Sequence, residues 1–319
     1  MIRREEVRFR AGDLSLAGTL SVPDGDGRLP WVVFVPSWLP RMRDGSWDRA
    51  RHASWFAPAV AGTRAGPFER LSEAMAERGV ASLRYDPRGC GEADGDWESS
   101  DLFTRIDDAR DAIGAMRSRR GLDLRRTAII GHGEGAGVAL SVAIGDPAIG
   151  AVGLIGASAR SLRDVLRRGV AERDRTGRDR EHPIVAALDR AAEELIERVR
   201  RRERSVVVVI GDDEVELSLA GWDQGFHTPP LALATMLHRN VVVAHGTDDA
   251  WADADESRLL VEALAPAGND VELLLIEGAG HDLAEADDDA MGRIAGAIAG
   301  RMQPRDLPPV LVAIEDLEA

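Results

Sequence analysis

The chain has 319 residues and a mass of 34.4 kDa, with 44% hydrophobic and 30% charged residues. That balance excludes wholesale disorder, a collagen-like chain and a disulfide framework, and it fits one large domain carrying an insertion. Basic residues number 40 against 55 acidic, a net charge of −15. An acidic surface of this size repels nucleic acid and anionic membranes, so neither is expected as a partner.

All the basic residues are Arg, which reads as the bias of a GC-rich genome. The single cysteine, Cys90, excludes an internal disulfide and a multi-Cys metal site. The N-terminal run MIRREEVRFR lacks an apolar h-region, and no stretch approaches the ~18 apolar residues of a membrane span. A cytoplasmic protein is expected, acting on a small molecule and with room for a homodimer.

Residues 6–10 and 14–22 alternate around the turn Ala11-Gly12-Asp13, so the chain should open with a hairpin. Residues 31–35 (WVVFV) form a continuous apolar run, the mark of a strand buried on both faces. A long loop rich in Trp, Arg and Gly covers 36–67, and a helix follows over 68–78, stopped by Gly79. Further buried strands are predicted at 80–85, 127–130 and 151–155, with helices at 102–119 and 136–144. The pattern then changes to charged helices at 162–171 and 184–202, a β-branched run at 206–210 and an irregular stretch to Pro230. Alternation resumes with strands at 241–244 and 271–276 and helices near 256–264 and 291–302. The tail is apolar at 310–314, suiting an added strand or helix.

Buried strands alternating with helices predict a mainly parallel α/β sheet with a helical cap insertion. The organisation is a core over 1–157, a cap over 158–230 and a second core part over 231–319. Ligands of such sheets sit at the carboxyl ends of the strands, and the chemistry is read there.

Three strand ends carry motifs. Gly131-His132-Gly133-Glu134-Gly135 has the form of a nucleophile elbow, Gly-x-Ser-x-Gly, between a strand and a small-residue helix. His245-Gly246-Thr247-Asp248-Asp249 has the form of the strand end that carries a triad acid, and Glu277-Gly278-Ala279-Gly280-His281 that of the loop that carries the base. The order nucleophile, acid, base differs from the chymotrypsin and subtilisin orders. On these residues the chain resembles the α/β-hydrolase superfamily over roughly residues 5–302. Within it the chain is most similar to dienelactone-hydrolase and peptidase-S9-like esterases, which share the run Leu16-Ala17-Gly18-Thr19-Leu20 and the turn Tyr85-Asp86-Pro87-Arg88-Gly89-Cys90-Gly91.

Two departures bear on function. Gly133 stands where the resemblance implies the nucleophilic Ser, so no hydroxyl or thiol is available there to form an acyl-enzyme. Pro36-Ser37-Trp38-Leu39-Pro40 stands where the family reads His-Gly-Ser-Gly-Pro, whose backbone helps to form an oxyanion hole. The resemblance carries over Asp249 as the acid and His281 as the base. Glu134 and Ser37 are candidates for an oxyanion or anion site. Ser37 is also an alternative nucleophile, and more readily a hydroxyl donor to a substrate oxygen.

Of the seven Trp residues, Trp38 and Trp251 directly follow strands and are expected to wall an apolar substrate cavity, with Trp222 reaching it from the insertion. Trp47, Trp55 and Trp97 read as loop anchors. Cys90 reads as a buried filler, and His132 and His245 as packing residues. His52, His182, His227 and His238 show no ligand spacing, so neither a metal nor another cofactor is expected.

The resulting expectation is an α/β-hydrolase-fold enzyme without a Ser nucleophile. Its His281–Asp249 dyad would do non-covalent acid/base chemistry on an apolar, oxygenated small molecule, as an elimination or cyclisation. Superfamily members recruited to natural-product tailoring do chemistry of this kind. The alternatives are ester or lactone hydrolysis by His-activated water or Ser37, and a non-catalytic ligand-binding protein.

Overall fold

The computed structural model describes residues 1–25, 27–52, 66–177, 183–309 and 311–312. Trp55, His182 and most of the apolar tail segment lie outside them; Leu311 and Val312 are helical. The chain opens with β1 (Ile2–Ala11) and β2 (Leu14–Pro23), an antiparallel pair in which Ala11 faces Leu14 across the turn. Then come β3 (Leu29–Val35), α1 (Pro67–Ala76), β4 (Ala81–Tyr85), α2 (Leu102–Arg117), β5 (Leu122–His132), α3 (Gly135–Gly145) and β6 (Ile149–Ile155). One eight-stranded sheet has the order β1-β2-β4-β3-β5-β6-β9-β10, where β9 is Asn240–Gly246 and β10 is Val271–Ile276. It is parallel from β4 to β10.

The apolar runs form central strands because both faces of the sheet are covered. In β3, Val33 and Val35 pack toward α2 (Ile113, Met116) and α3 (Val138, Leu140), while Val32 and Phe34 pack toward α1 and the closing helix α10 (Asp288–Arg301), on Leu71, Met75 and Ile294. This period of two places every second residue on each face, so a strand covered on both sides loses the polar alternation of a half-exposed one. Helix α9 (Ala254–Leu264) joins the α2–α3 side through Leu260 and Leu264.

Between β6 and β9 lie α4 (Leu162–Thr176), α5 (Pro183–Arg190), α6 (Ala192–Arg200), β7 (Ser205–Ile210), β8 (Asp213–Ser218), α7 (Trp222–His227) and α8 (Pro230–Ala234). The segment is not purely helical, since β7 and β8 form a separate antiparallel hairpin. Val206, Val208 and Ile210 face inward and Val207 and Val209 outward, so the five apolar residues look alike in sequence and differ only in burial. The helix expected over 184–202 is two helices meeting at Ala191. This segment has its own core, built from Leu166, Leu188, Leu195 and Val208, which reaches Leu39, Trp97 and Trp251 of the main body. Those contacts seat it over the carboxyl ends of the strands.

The strand ends are level. Gly133 N–H donates to Ile155 O at 2.9 Å, Gly156 N–H to Ala244 O at 2.9 Å and Thr247 N–H to Ile276 O at 3.0 Å. At the end of β9 a Cβ on Gly246 would overlap the carbonyl oxygens of Ala279 and Gly280, so the loop after β9 and the loop after β10 touch there through bare backbone. Gly246→Ala should cost about 1–3 kcal/mol of stability by overpacking, measured by urea unfolding. It should also separate the two loops and reduce any activity that depends on residues from both.

Candidate active site

The site is assembled from the ends of β3, β5, β9 and β10. Gly133, in the turn from β5 to α3, has φ +54°, a left-handed conformation that strains any residue bearing a Cβ. A Cβ built on it would point between two groups, 3.1 Å from His281 Nε2 and 3.2 Å from Ser37 Oγ. The place of a side chain at this elbow is therefore a gap with an imidazole on one wall and a hydroxyl on the other.

Asp249 and His281, far apart in sequence, meet as expected: His281 Nδ1 donates to Asp249 Oδ2 at 2.8 Å. The Asp249 side chain is fully buried and His281 is 13% exposed. Asp249 Oδ1 accepts from the backbone N–H of Trp251 at 2.7 Å and of Ala252 at 3.0 Å. Burial alone would raise the Asp249 pKa, but the charge and hydrogen bonds of His281 and His245 hold it well below the ordinary carboxylate range. With Nδ1 committed, His281 Nε2 is buried and has no hydrogen-bond partner among the described residues. Burial lowers the His281 pKa, and the charge and hydrogen bond of Asp249 outweigh it, with Asp282 and Glu134 adding to the rise.

Two further histidines support the pair. His245 is fully buried, with Nδ1 2.6 Å from Ser257 Oγ and Nε2 2.8 Å from Ala252 O and 3.2 Å from Asp249 Oδ2. His132 Nε2 lies 3.1 Å from the carbonyl of His281, and the two rings are 4.8 Å apart. Burial, with repulsion from His281, pushes the His132 pKa down to about 3, so it stays neutral. Asp282 is held by Arg41, 2.6 Å away, and Arg41 lies 3.7 Å over the Trp47 ring.

Across the gap, Ser37 Oγ donates to Glu134 Oε2 at 2.9 Å. An ionised carboxylate only accepts, so this bond uses the one hydroxyl proton and leaves lone pairs toward the cavity. Ser37 and Glu134 are thus brought together beside Gly133, and a donor for a substrate oxygen must come from elsewhere.

The gap opens into a cavity of about 110 Å³, lined by Trp38, Trp97, Trp222 and Trp251 among others. Trp38 stacks on Trp97, with centroids 5.8 Å apart and planes at 11°, and meets Trp222 edge-on at 5.4 Å. Trp251 lies 5.9 Å from the His281 ring. Trp97, expected as a loop anchor, is therefore also a cavity wall; its N–H reaches the carbonyl of Trp38. Trp47 packs under Arg41 and Trp31 lies in the sheet core. Arg105, from α2, also lines the cavity, and no strand-end motif points to it; α2 packs against α3 and strands that include β3 and β4.

Among the described residues two groups of side chains hold potential metal-ligand atoms close together, Asp48–His52–Cys90 and His132–His281–Asp282. Protein partners account for the first group, whereas in the second His132 Nδ1 and His281 Nε2 have none among the described residues. Asp48 accepts from the N–H of Arg51 and Gly91, and His52 Nε2 lies 2.9 Å from Gly89 O. Burial pushes the Cys90 thiol far up, keeping it neutral. In the second group Arg41 already sits on Asp282. His227 and His238 are exposed. Among the described residues no helix is long and apolar enough to cross a membrane.

A family model described as serine aminopeptidase, S33, matches residues 61–168, which include the Gly133 turn. No curated protein sequence matches the chain. Among solved structures, it is similar to an esterase from Butyrivibrio proteoclasticus with ferulic acid bound, at 15% identity and TM-score 0.63, over 92% of this chain and 99% of that one. It is similar to an α/β hydrolase from Penicillium sp. sh18 at 19% identity and TM-score 0.62, over 94% and 99%. A third, the esterase domain of a Rhodothermus marinus protein, aligns at 17% identity and TM-score 0.57, over 94% and 97%. The chain has the α/β-hydrolase fold.

The dyad fixes the sign of the pH response. A base must be neutral, so activity that depends on His281 should rise with pH through a midpoint above 6.5. In Asp249→Asn the burial contribution should remain without the carboxylate that opposes it. The midpoint should then move down, and the plateau should fall by about 10²–10⁴ because the ring loses its orientation. A pH–rate profile of both proteins measures this.

Proposed function

We propose that the protein is an enzyme in which His281, oriented by Asp249, acts as a general base without a covalent intermediate. One observation carries the reading: the unpartnered Nε2 of His281 faces the side-chain-free elbow at Gly133, at the edge of an apolar cavity. A base is present and charged residues are arranged to strengthen it, while the position opposite it offers no atom to acylate. The reaction class that suits this is proton loss coupled to departure of a carboxylate or alkoxide, an elimination or a cyclisation. His281 Nε2 takes the proton. The electron pair released forms the new double bond or ring bond, and the leaving oxygen keeps the pair of the bond that breaks. The Trp-lined cavity suits an apolar, oxygenated small molecule of the kind found in natural-product tailoring.

A second reading has an observation of its own. His281 Nε2 and Ser37 Oγ are both acceptors facing one gap, and a water bridging them would donate one hydrogen to each and present its lone pair to an ester or lactone carbonyl. Turnover in H₂¹⁸O separates the two: elimination and cyclisation leave the label out of the products, whereas attack by water puts one ¹⁸O into the acid released.

His281→Ala should reduce turnover by about 10²–10⁴ while leaving ligand binding in place; wild-type turnover in that variant would remove the base assignment. The wild-type protein should not be labelled by a fluorophosphonate, and a stoichiometric adduct mapped to Ser37 would put the nucleophile on the opposite wall. Gly133→Ser should fold, at a cost of about 1–3 kcal/mol from strain at positive φ. Its side chain should fill the gap and suppress the native reaction without giving an efficient esterase.

A further inference from the structure

Of the charged side chains that line the cavity, Glu98 is exposed to solvent, Asp101, Glu134 and Arg160 are matched within the protein, and Arg105 is the cation that no carboxylate contacts among the described residues. Glu134 accepts from Ser37, Asp101 caps α2 by accepting from the N–H of Thr104, and Arg160 pairs with Glu256. Arg105 makes a single hydrogen bond among the described residues, from Nη2 to the carbonyl of Pro36 at 3.1 Å, and no ion pair. A guanidinium has five N–H donors, so most of its capacity is unused. Burial lowers its pKa, and the surrounding carboxylates of Glu134, Asp108 and Asp101, none bonded to it, oppose this only in part. A cation drawn out of water with no carboxylate on it is costly, and the cost falls when a ligand brings the anion.

Its place relative to the gap gives this consequence. Arg105 is anchored on the carbonyl of Pro36, and the next residue, Ser37, forms one wall of the gap that His281 Nε2 closes. An anionic group bonded to Arg105 therefore lies one residue from the reacting position, with the Trp38, Trp97 and Trp222 rings around the remainder of the ligand. Planar carboxylates match the guanidinium fork, which a lysine would serve only as a point charge.

We infer that Arg105 is the specificity-determining residue of this cavity and that it selects substrates bearing a carboxylate on an apolar, aromatic-sized body. The inference rests on the cavity being the substrate site of the reaction proposed above. It supplies the donor that the Ser37–Glu134 pair does not, since that pair turns lone pairs toward the ligand.

Benzoate and benzamide, which share a ring and differ in charge, test it through quenching of the cavity tryptophans at pH 8. Benzoate should bind wild-type protein about tenfold or more tightly than benzamide, as expected for a charge-assisted bond. The preference should persist in His281→Ala, which separates the guanidinium from an imidazolium as its source. In Arg105→Gln it should fall to about one- to twofold, and in Arg105→Lys it should survive in part. Equal binding of acid and amide to the wild type, absence of quenching by either, or an undiminished preference in Arg105→Gln would each overturn the inference. The wild-type comparison stands whether or not the Arg105 variants fold. Failure here with His281→Ala inactive would leave the base assignment intact. A preserved acid preference with His281→Ala fully active would reject the base assignment and keep the Arg105 site.

Discussion

Asp249 is a carboxylate with no exposed side-chain surface, and such a group keeps its charge only if both oxygens are hydrogen-bonded. One oxygen takes the backbone N–H groups of Trp251 and Ala252, which curls the loop after β9 tightly around it. The other takes His281 Nδ1, which ties the loop after β10 to the same point. Much of the site follows from that one compensated charge. Because Nδ1 must donate inward, Nε2 carries a lone pair outward. Because the loops meet at Asp249, β9 and β10 must end level, which the parallel pairing of His245 with Leu275 and Gly246 with Ile276 provides. His245, buried below, puts Nε2 beside both the carboxylate and the Ala252 carbonyl and so braces the loop from the core side.

The same charges set the strength of the base. Burial disfavours the protonated ring of His281, yet Asp249 wins because it is in contact, and Asp282 and Glu134 push in the same direction. Arg41 tempers Asp282 by binding it directly. The result is an imidazole more basic than a free one, with a smaller neutral fraction at pH 7 and a greater appetite for a proton once neutral. Holding a second, neutral histidine against it, rather than a second cation, keeps this balance: His132 is too deeply buried to charge.

How far the site was legible in the sequence depended on where each residue sits relative to a strand end. Asp249, His281 and Gly133 follow strands within short glycine-bearing turns, where motif spacing and strand order locate them without coordinates. Trp38 and Trp251 were legible for the same reason. Arg105 and Trp97 were not, because neither belongs to a strand-end motif. Arg105 lies in an amphipathic helix among other arginines, and what distinguishes it is the absence of a carboxylate partner among the described residues, a tertiary fact. In the segment between β6 and β9, two local patterns hid the true elements. Five consecutive valine and isoleucine residues concealed which face of β7 is buried, and uninterrupted charged periodicity concealed the break at Ala191. The core strands were easier because burial on both faces leaves a composition few other structures share.

Gly133 joins the two halves of this arrangement. Its φ of +54° is where a glycine costs least, so the backbone turn there is relaxed rather than strained. Relaxing it does not dismantle the rest, since the Asp249–His281 pair draws its stability from burial and hydrogen bonding that involve no atom of residue 133. What changes is the space between His281 Nε2 and Ser37 Oγ. A side chain there would lie just over 3 Å from both, close enough to occupy the position and to consume the lone pair of the base. Its absence leaves that lone pair without a partner among the described residues. While His281 is neutral this space has acceptors on both walls, so a group placed there must donate, and under the proposed reaction the negative charge of a ligand would be met farther along the cavity, where Arg105 has no carboxylate partner among the described residues. Under the proposed reaction the polarity of the cavity would run from acceptors at the gap to a donor at Arg105, and would orient a ligand with its acidic proton toward His281 and its anionic end away from Glu134.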